Sequence, residues 1–204
     1  MPAQESQDEP AARVPMTAES IEAATVGEVP RLDGPVTLRE YDPRWPEAFA
    51  REAARVRAAL DATPHALEHA GSTSVPGLTA KPIVDMVLTV PDPGDEEAYV
   101  PALERIGFRL AIREPEWYEH RVLRKRDLGP GADAANLHVF PRGCAEVTRM
   151  LLFRDWLRAH PEDRDLYART KRALAARTWT YTQNYADAKS DVVAEIMERA
   201  AQEG

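Results

Sequence analysis

HAGSTSVPGLTAKPIVDMVLTV, His69–Val90, joins a small-residue turn to an apolar, β-branched run and organises what lies on either side of it. Gly71, Ser72, Thr73 and Ser74 offer backbone N–H groups and hydroxyls, the groups that hold phosphate oxygens. Pro76, Gly77 and Pro82 stiffen the loop that follows, which also carries Lys81. Ile83–Val90 then has the composition of a buried strand, interrupted by one acid, Asp85. An acid inside an apolar strand costs free energy unless it has a partner. Turn and acid together point to a phosphate-and-metal site; the residues alone leave open an ordinary turn beside a hydrogen-bonded acid.

Standard phosphate and nucleophile motifs are absent. A Walker A loop needs Gly-Lys after the first glycine and four further residues, but Pro76 stands five positions after Gly71 and Leu78 follows Gly77. A nucleophile elbow needs Gly-x-Ser-x-Gly, and neither Ser72 nor Ser74 has that setting. Cys144 is the single cysteine, which excludes an internal disulfide and fits a reducing cytoplasm. Nothing around it argues for a nucleophile, and it reads as a residue near a helix start.

The chain has 204 residues, enough for one domain with a buried core. No apolar run approaches the length of a bilayer span. Net charge is −8, of which residues 1–34 carry −5 and the rest −3. That balance offers no basic field for nucleic acid; small-molecule or protein partners fit better. Residues 1–34, rich in Ala, Glu and Pro, read as a disordered or weakly ordered acidic leader, dispensable for folding, with a short helix over Thr17–Thr25.

The patterning predicts a strand over Pro35–Tyr41 and a helix to about Asp61. Strands follow over His65–Ala70 and Ile83–Val90, then a helix to Ile106, and strands over Phe108–Ile112, Tyr118–Arg126 and Asn136–Phe140. From Cys144 onward three helices are expected, over Ala145–His160, Pro161–Arg177 and Tyr181–Gln202. A β-rich front half and a helical back half make an α/β or α+β fold.

Helical spacing sets one cation in the apolar stripe of each back-half helix. Arg154 follows Met150 by four, Lys171 follows Tyr167 by four, and Lys189 follows Tyr185 by four. Either their stems lie on the core and their heads reach water, or they converge on Asp85 and the turn, where Arg and Lys would neutralise phosphates. Tyr167 and Tyr185 would orient the lysines, stack a base, or pack in the core. Arg121, next to His120 on a strand, is a further candidate phosphate contact. His138 shares a strand face with Asn136 and Phe140, as a metal ligand, a base or a core histidine. His65 and His69, four apart, would suit a metal pair on a helix, but the approach to Gly71 reads as a strand.

GSTSVPGLTAKPIVDM resembles the signature of the GrpB family, small proteins related to nucleotidyltransferases. The similarity continues through NLHVF (Asn136–Phe140), LLFRDWLRAHPEDRDLYARTKRAL (Leu151–Leu174) and YADAKSDVVAEIMERA (Tyr185–Ala200). It covers about Val36 to Ala200. It implies a nucleotidyltransferase-like mixed β-sheet with flanking helices and a helical C-terminal layer, over residues 35–204. It also implies a nucleotide or other phosphorylated small molecule as ligand, with Asp85 and His138 at the chemistry and Mg2+ or Mn2+ on Asp85. The wider superfamily sets two carboxylates one residue apart on one strand; here Val87 takes the second place. GrpB-like domains attached to coenzyme A biosynthesis kinases make an accessory role, and a protein partner, a second expectation. Three functions are therefore carried forward: nucleotidyl transfer to a small acceptor, nucleotide or anion binding without turnover, and NTP-dependent activation of a small acid.

Overall fold

The computed structural model describes residues 14–61 and 63–203. In chain order these form α1 (Ala18–Ala24), β1 (Arg31–Gly34), α2 (Arg44–Ala59), β2 (Ala66–Ala70), β3 (Ile83–Val90), α3 (Val100–Arg105), β4 (Arg109–Glu114), β5 (His120–Arg126), β6 (Ala134–Pro141), α4 (Ala145–Ala159), α5 (Pro161–Ala175), β7 (Trp179–Tyr181), α6 (Thr182–Asp187) and α7 (Ser190–Glu203).

Five strands make a mixed sheet in the order β2-β3-β6-β5-β4. The β3–β6 pair is parallel and the others antiparallel. Alternation divides the side chains between two faces. Val84, Met86, Leu88 and Val90 of β3, with Leu123, Leu137 and Val139, form the main core under Trp45, Val56 and Leu60 of α2 and Leu103 of α3. The opposite face carries Asp85, Asn136, His138, His120 and Arg124. Register lines Asp85, Asn136 and Arg124 in one row and Val87, His138 and Val122 in the next. The helical layer packs on the loop after β2, where Val75 and Leu78 meet Trp156, Leu157, Tyr167 and Ile196.

Several expectations change. Pro35–Tyr41 is not a strand: only Arg39 bridges, to Ala80, while Val36 N–H donates to Ala175 at the end of α5. The strand lies just before it, as β1 paired with β7, a three-residue strand too short to register as a period. The last expected helix is two: a cap on Tyr181 and Asn184 starts α6, Ala188 closes it, and α7 begins at Ser190. The helix expected to reach Ile106 is confined to Val100–Arg105 behind a 3-10 turn.

The leader expectation divides. Residues 1–13 lie outside the described residues. Residues 17–34 form α1, capped by the Thr17 hydroxyl, and β1, and they lie on the domain. Thr25 bridges Ile112 of β4, and Val26 N–H donates to Ala111 O at 2.9 Å. The acidic composition concealed this because the contacts are mostly made by the backbone.

One charge pair crosses the core face. Lys125 Nζ donates to Glu52 Oε2 at 2.7 Å, with side-chain exposures of 8% and 3%. Glu52 has a second partner in the exposed Arg55, at 3.2 Å, so losing Lys125 weakens its pairing without removing it. Lys125→Met is expected to cost about 1–3 kcal/mol in denaturant unfolding. The double change Glu52→Leu, Lys125→Met is expected to recover most of that loss.

Candidate functional site

Asp85 sits near the start of β3, beneath the turn that ends β2. Gly71 opens that turn at φ 64° and ψ −172°, a region open essentially to glycine alone. A Cβ there would lie 2.5 Å from Asp85 Oδ2, so the turn reaches the carboxylate only because Gly71 has no side chain. The Asn136 amide donates to Asp85 Oδ1 at 2.9 Å. Burial pushes the Asp85 carboxyl up, but His138, the Asn136 amide and Lys81 outweigh it, holding Asp85 below its ordinary range.

Three amines face this acid in a cavity of about 520 Å3. Lys81 comes from the loop before β3, Lys171 from α5, and Lys189 from the break between α6 and α7. Lys171 is 2% exposed and donates to Thr79 O of the same loop. Lys81 and Lys189 lie 5.8 and 4.7 Å from the centre of the Tyr185 ring. Burial, then Lys189, lowers Lys81 to about 8, despite Asp85. Burial lowers Lys189 to about 8 against the pull of Asp85 and Asp187. Burial and the two neighbouring lysines hold Lys171 well below the usual amine range. Arg124, in the same row as Asp85, is likewise lowered by burial and by Arg126. Tyr185 also lines this space, and its hydroxyl is buried without a hydrogen-bond partner.

A second chain of groups reaches Asp85 along the sheet. Glu114 Oε2 lies 2.7 Å from His120 Nδ1, His120 Nε2 lies 3.1 Å from His138 Nδ1, and His138 Nε2 lies 3.9 Å from Asp85 Oδ1. Each ring nitrogen donates or accepts according to the tautomer. His138 Nε2 is the nitrogen that faces Asp85.

The expected residues divide. Gly71, Ser72, Thr73, Lys81, Asp85, His138, Lys171, Tyr185 and Lys189 all line the cavity. Thr73 is largely committed within the turn, its hydroxyl 3.1 Å from His69 Nε2. Ser74 is buried, its hydroxyl donating to Gly71 O at 2.6 Å and its carbonyl taking Arg158. Arg154 does not join the lysines. It lines an adjoining cleft on the far side of Gly71 and Ser72, bound to His69 O, Glu68 and Asp155. Arg121 lies on the core face, paired with Glu96 at 2.7 Å. Strand alternation from His120 selects Arg124 for the site face instead, a count that the sequence permits. His69 is held neutral, lowered by burial to about 4, and stacks on Phe49.

The donor set does not fit a resident Mg2+ or Mn2+. Asp85 stands as one carboxylate with its Oδ1 committed to Asn136, and apolar Val87 occupies the neighbouring row. Among the described residues, no three His, Cys, Asp or Glu side chains gather as a metal site would need. The amines facing Asp85 complement an anion instead.

Two outcomes follow. Lys81 and Lys189 have folded values of about 8 against 10.5 when unfolded, so between those pH values the unfolded chain holds more protons. Stability of the free protein is therefore expected to rise with pH across that window, read as Tm in a pH series. Gly71→Ala is expected to lower stability by about 1–3 kcal/mol through backbone strain and collision with Asp85.

Comparison with known proteins agrees with this architecture. The family model described as GrpB protein matches residues 35–199. The UPF0157 protein BH1888 of Halalkalibacterium halodurans is 55% identical over 91% of this chain and 93% of its own. A Dephospho-CoA kinase of Mycolicibacterium paratuberculosis is 30% identical over 70% of this chain, which spans 40% of that protein. The crystal structure of conserved protein GrpB from Enterococcus faecalis matches at a TM-score of 0.69 and 31% identity, over 82% of this chain and 98% of that one. With the family model spanning nearly all of the sheet and the helical layer, the chain belongs to the GrpB family.

Proposed function

We propose that the cavity binds a nucleotide or another phosphorylated small molecule, and that it does so without a resident metal. The observation that carries this reading is the convergence of Lys81, Lys171 and Lys189 on one space beside the Gly71–Ser72 turn. Three amines crowded in a partly desolvated site lower one another's proton affinity, and an anion relieves that repulsion. The hydroxyl of Ser72 offers a neutral donor beside them. Asp85 favours the charged amines through space without a direct ion pair, and the Asn136 amide holds Asp85.

A second reading adds nucleotidyl transfer, and the Glu114–His120–His138 chain favours it. His138 Nε2 is placed as a base for an acceptor hydroxyl. The lone carboxylate supports binding over turnover. The match to part of a Dephospho-CoA kinase adds an accessory role beside nucleotide-using enzymes, so dephospho-CoA belongs among the probes beside ATP.

Calorimetry with ATP separates these readings. Lys189→Ala is expected to weaken ATP about tenfold or more, the scale of one charge-assisted hydrogen bond. Asp85→Asn removes a negative charge, so it is expected to tighten ATP or leave it unchanged, with no gain from Mg2+ or loss with chelator. Loss of ATP binding in Asp85→Asn, together with Mg2+-dependent affinity in the parent, would overturn the metal-free reading. Affinity is also expected to fall above pH 8, as Lys81 and Lys189 lose their protons. Transfer predicts pyrophosphate release that His138→Ala abolishes.

A further inference from the structure

The lysines line only part of the cavity. The lining also includes Ile21, Ala24, Val29 and Leu32, the last packed beside Tyr185, and Ile112 and Val122 of the sheet. The first four belong to the strap that carries α1 and β1, N-terminal to the family match at residues 35–199. The strap is fastened along its length. Met16 N–H donates to Asp187 Oδ2 at 2.9 Å. Thr25 and Val26 join β4, and Arg31–Gly34 pairs with β7. It therefore closes a room whose floor is polar and whose wall is aliphatic.

The volume, about 520 Å3, lies in the range of about 300–1,000 Å3 that takes a small organic ligand. A bare phosphate or polyphosphate would leave the aliphatic wall facing water. We infer that the strap is a specificity element: it seats a flat or apolar organic body whose phosphate reaches the lysines, so the ligand is an organic phosphate and not an inorganic one. This rests on the phosphate-binding reading above. It deepens that reading by assigning the aliphatic lining to the ligand's organic body.

The test sets each organic probe against its own bare anion in the full chain: ATP against tripolyphosphate, and octyl phosphate against orthophosphate. At least one organic probe is expected to bind about tenfold tighter than its anion, the yield of burying a modest apolar area. Ala24→Trp adds bulk to the aliphatic lining without changing charge. It is expected to close that gap and leave the bare anion's affinity unchanged. Leu32→Ala is the second variant, should Ala24→Trp fail to fold, and is expected to narrow the gap in the same way. Equal affinity of each organic probe and its anion would overturn the strap's role and leave the phosphate site standing. A gap that survives both variants would overturn it too. Failure of every anion to bind, or anion binding indifferent to Lys189→Ala, would overturn the phosphate reading and the strap's role together.

Discussion

The site depends on one electrostatic constraint: a single carboxylate must hold several buried cations in a small volume. Asp85 is the counter-charge to Lys81 and Lys189 and contributes to Lys171 and Arg124. One negative charge does not offset the burial that, with the crowding of like charges at Lys81 and Lys171, depresses the amine proton affinities. Local geometry follows from that demand. Gly71 lacks a Cβ so that the turn can close on the acid. Asn136 occupies the adjacent sheet position to hold one carboxylate oxygen. Lys171 ties α5 to the loop through Thr79, so the helical layer and the sheet meet at the place where charge is unbalanced.

The two faces of the sheet treat charge differently. On the core face each buried cation meets a carboxylate directly, Lys125 at Glu52 and Arg121 at Glu96, and each acid also takes a more exposed arginine, Arg55 and Arg113. The buried cations there already have ion-pair partners. On the opposite face, cations outnumber acids around Asp85, and a buried tyrosine hydroxyl has no partner. Satisfied polar groups are the rule in folded proteins, so this local surplus is the feature on which the proposed anion-binding role rests.

Much of this could be read from residues alone. His69–Val90 showed the turn, the loop and the acid-bearing strand because its punctuation by Gly, Ser and Pro is strong. The four-residue spacings from Tyr167 and Tyr185 put Lys171 and Lys189 on inward faces, and both reach the cavity, although Lys189 stands in the break between α6 and α7. Arg154 satisfied the same spacing and went elsewhere, because a helical stripe says which face is inward and nothing about what lies opposite. Arg121 failed for a different reason: one residue along a strand reverses the face, and His120 owned the site side. The Glu114–His120–His138 chain joins β4, β5 and β6, so it exists only once the register is known. β1 and β7 escaped because each is short and gains its meaning from a partner far along the chain.

That last pairing has a consequence for how the protein is made. Arg31 stands opposite Tyr181, so β1 must wait for a partner strand synthesised far later in the chain. Until then β1 has no strand to pair with, although the strap's Thr25 and Val26 can already join β4. The central sheet and the helix over it can condense first, from segments between these two ends. Closure of β1 on β7 is then a late, long-range step, the kind whose loop-closure entropy slows folding. The cavity wall that the strap supplies is therefore fastened at β1 only once β7 has been made, so a chain stopped before Trp179 lacks that fastening.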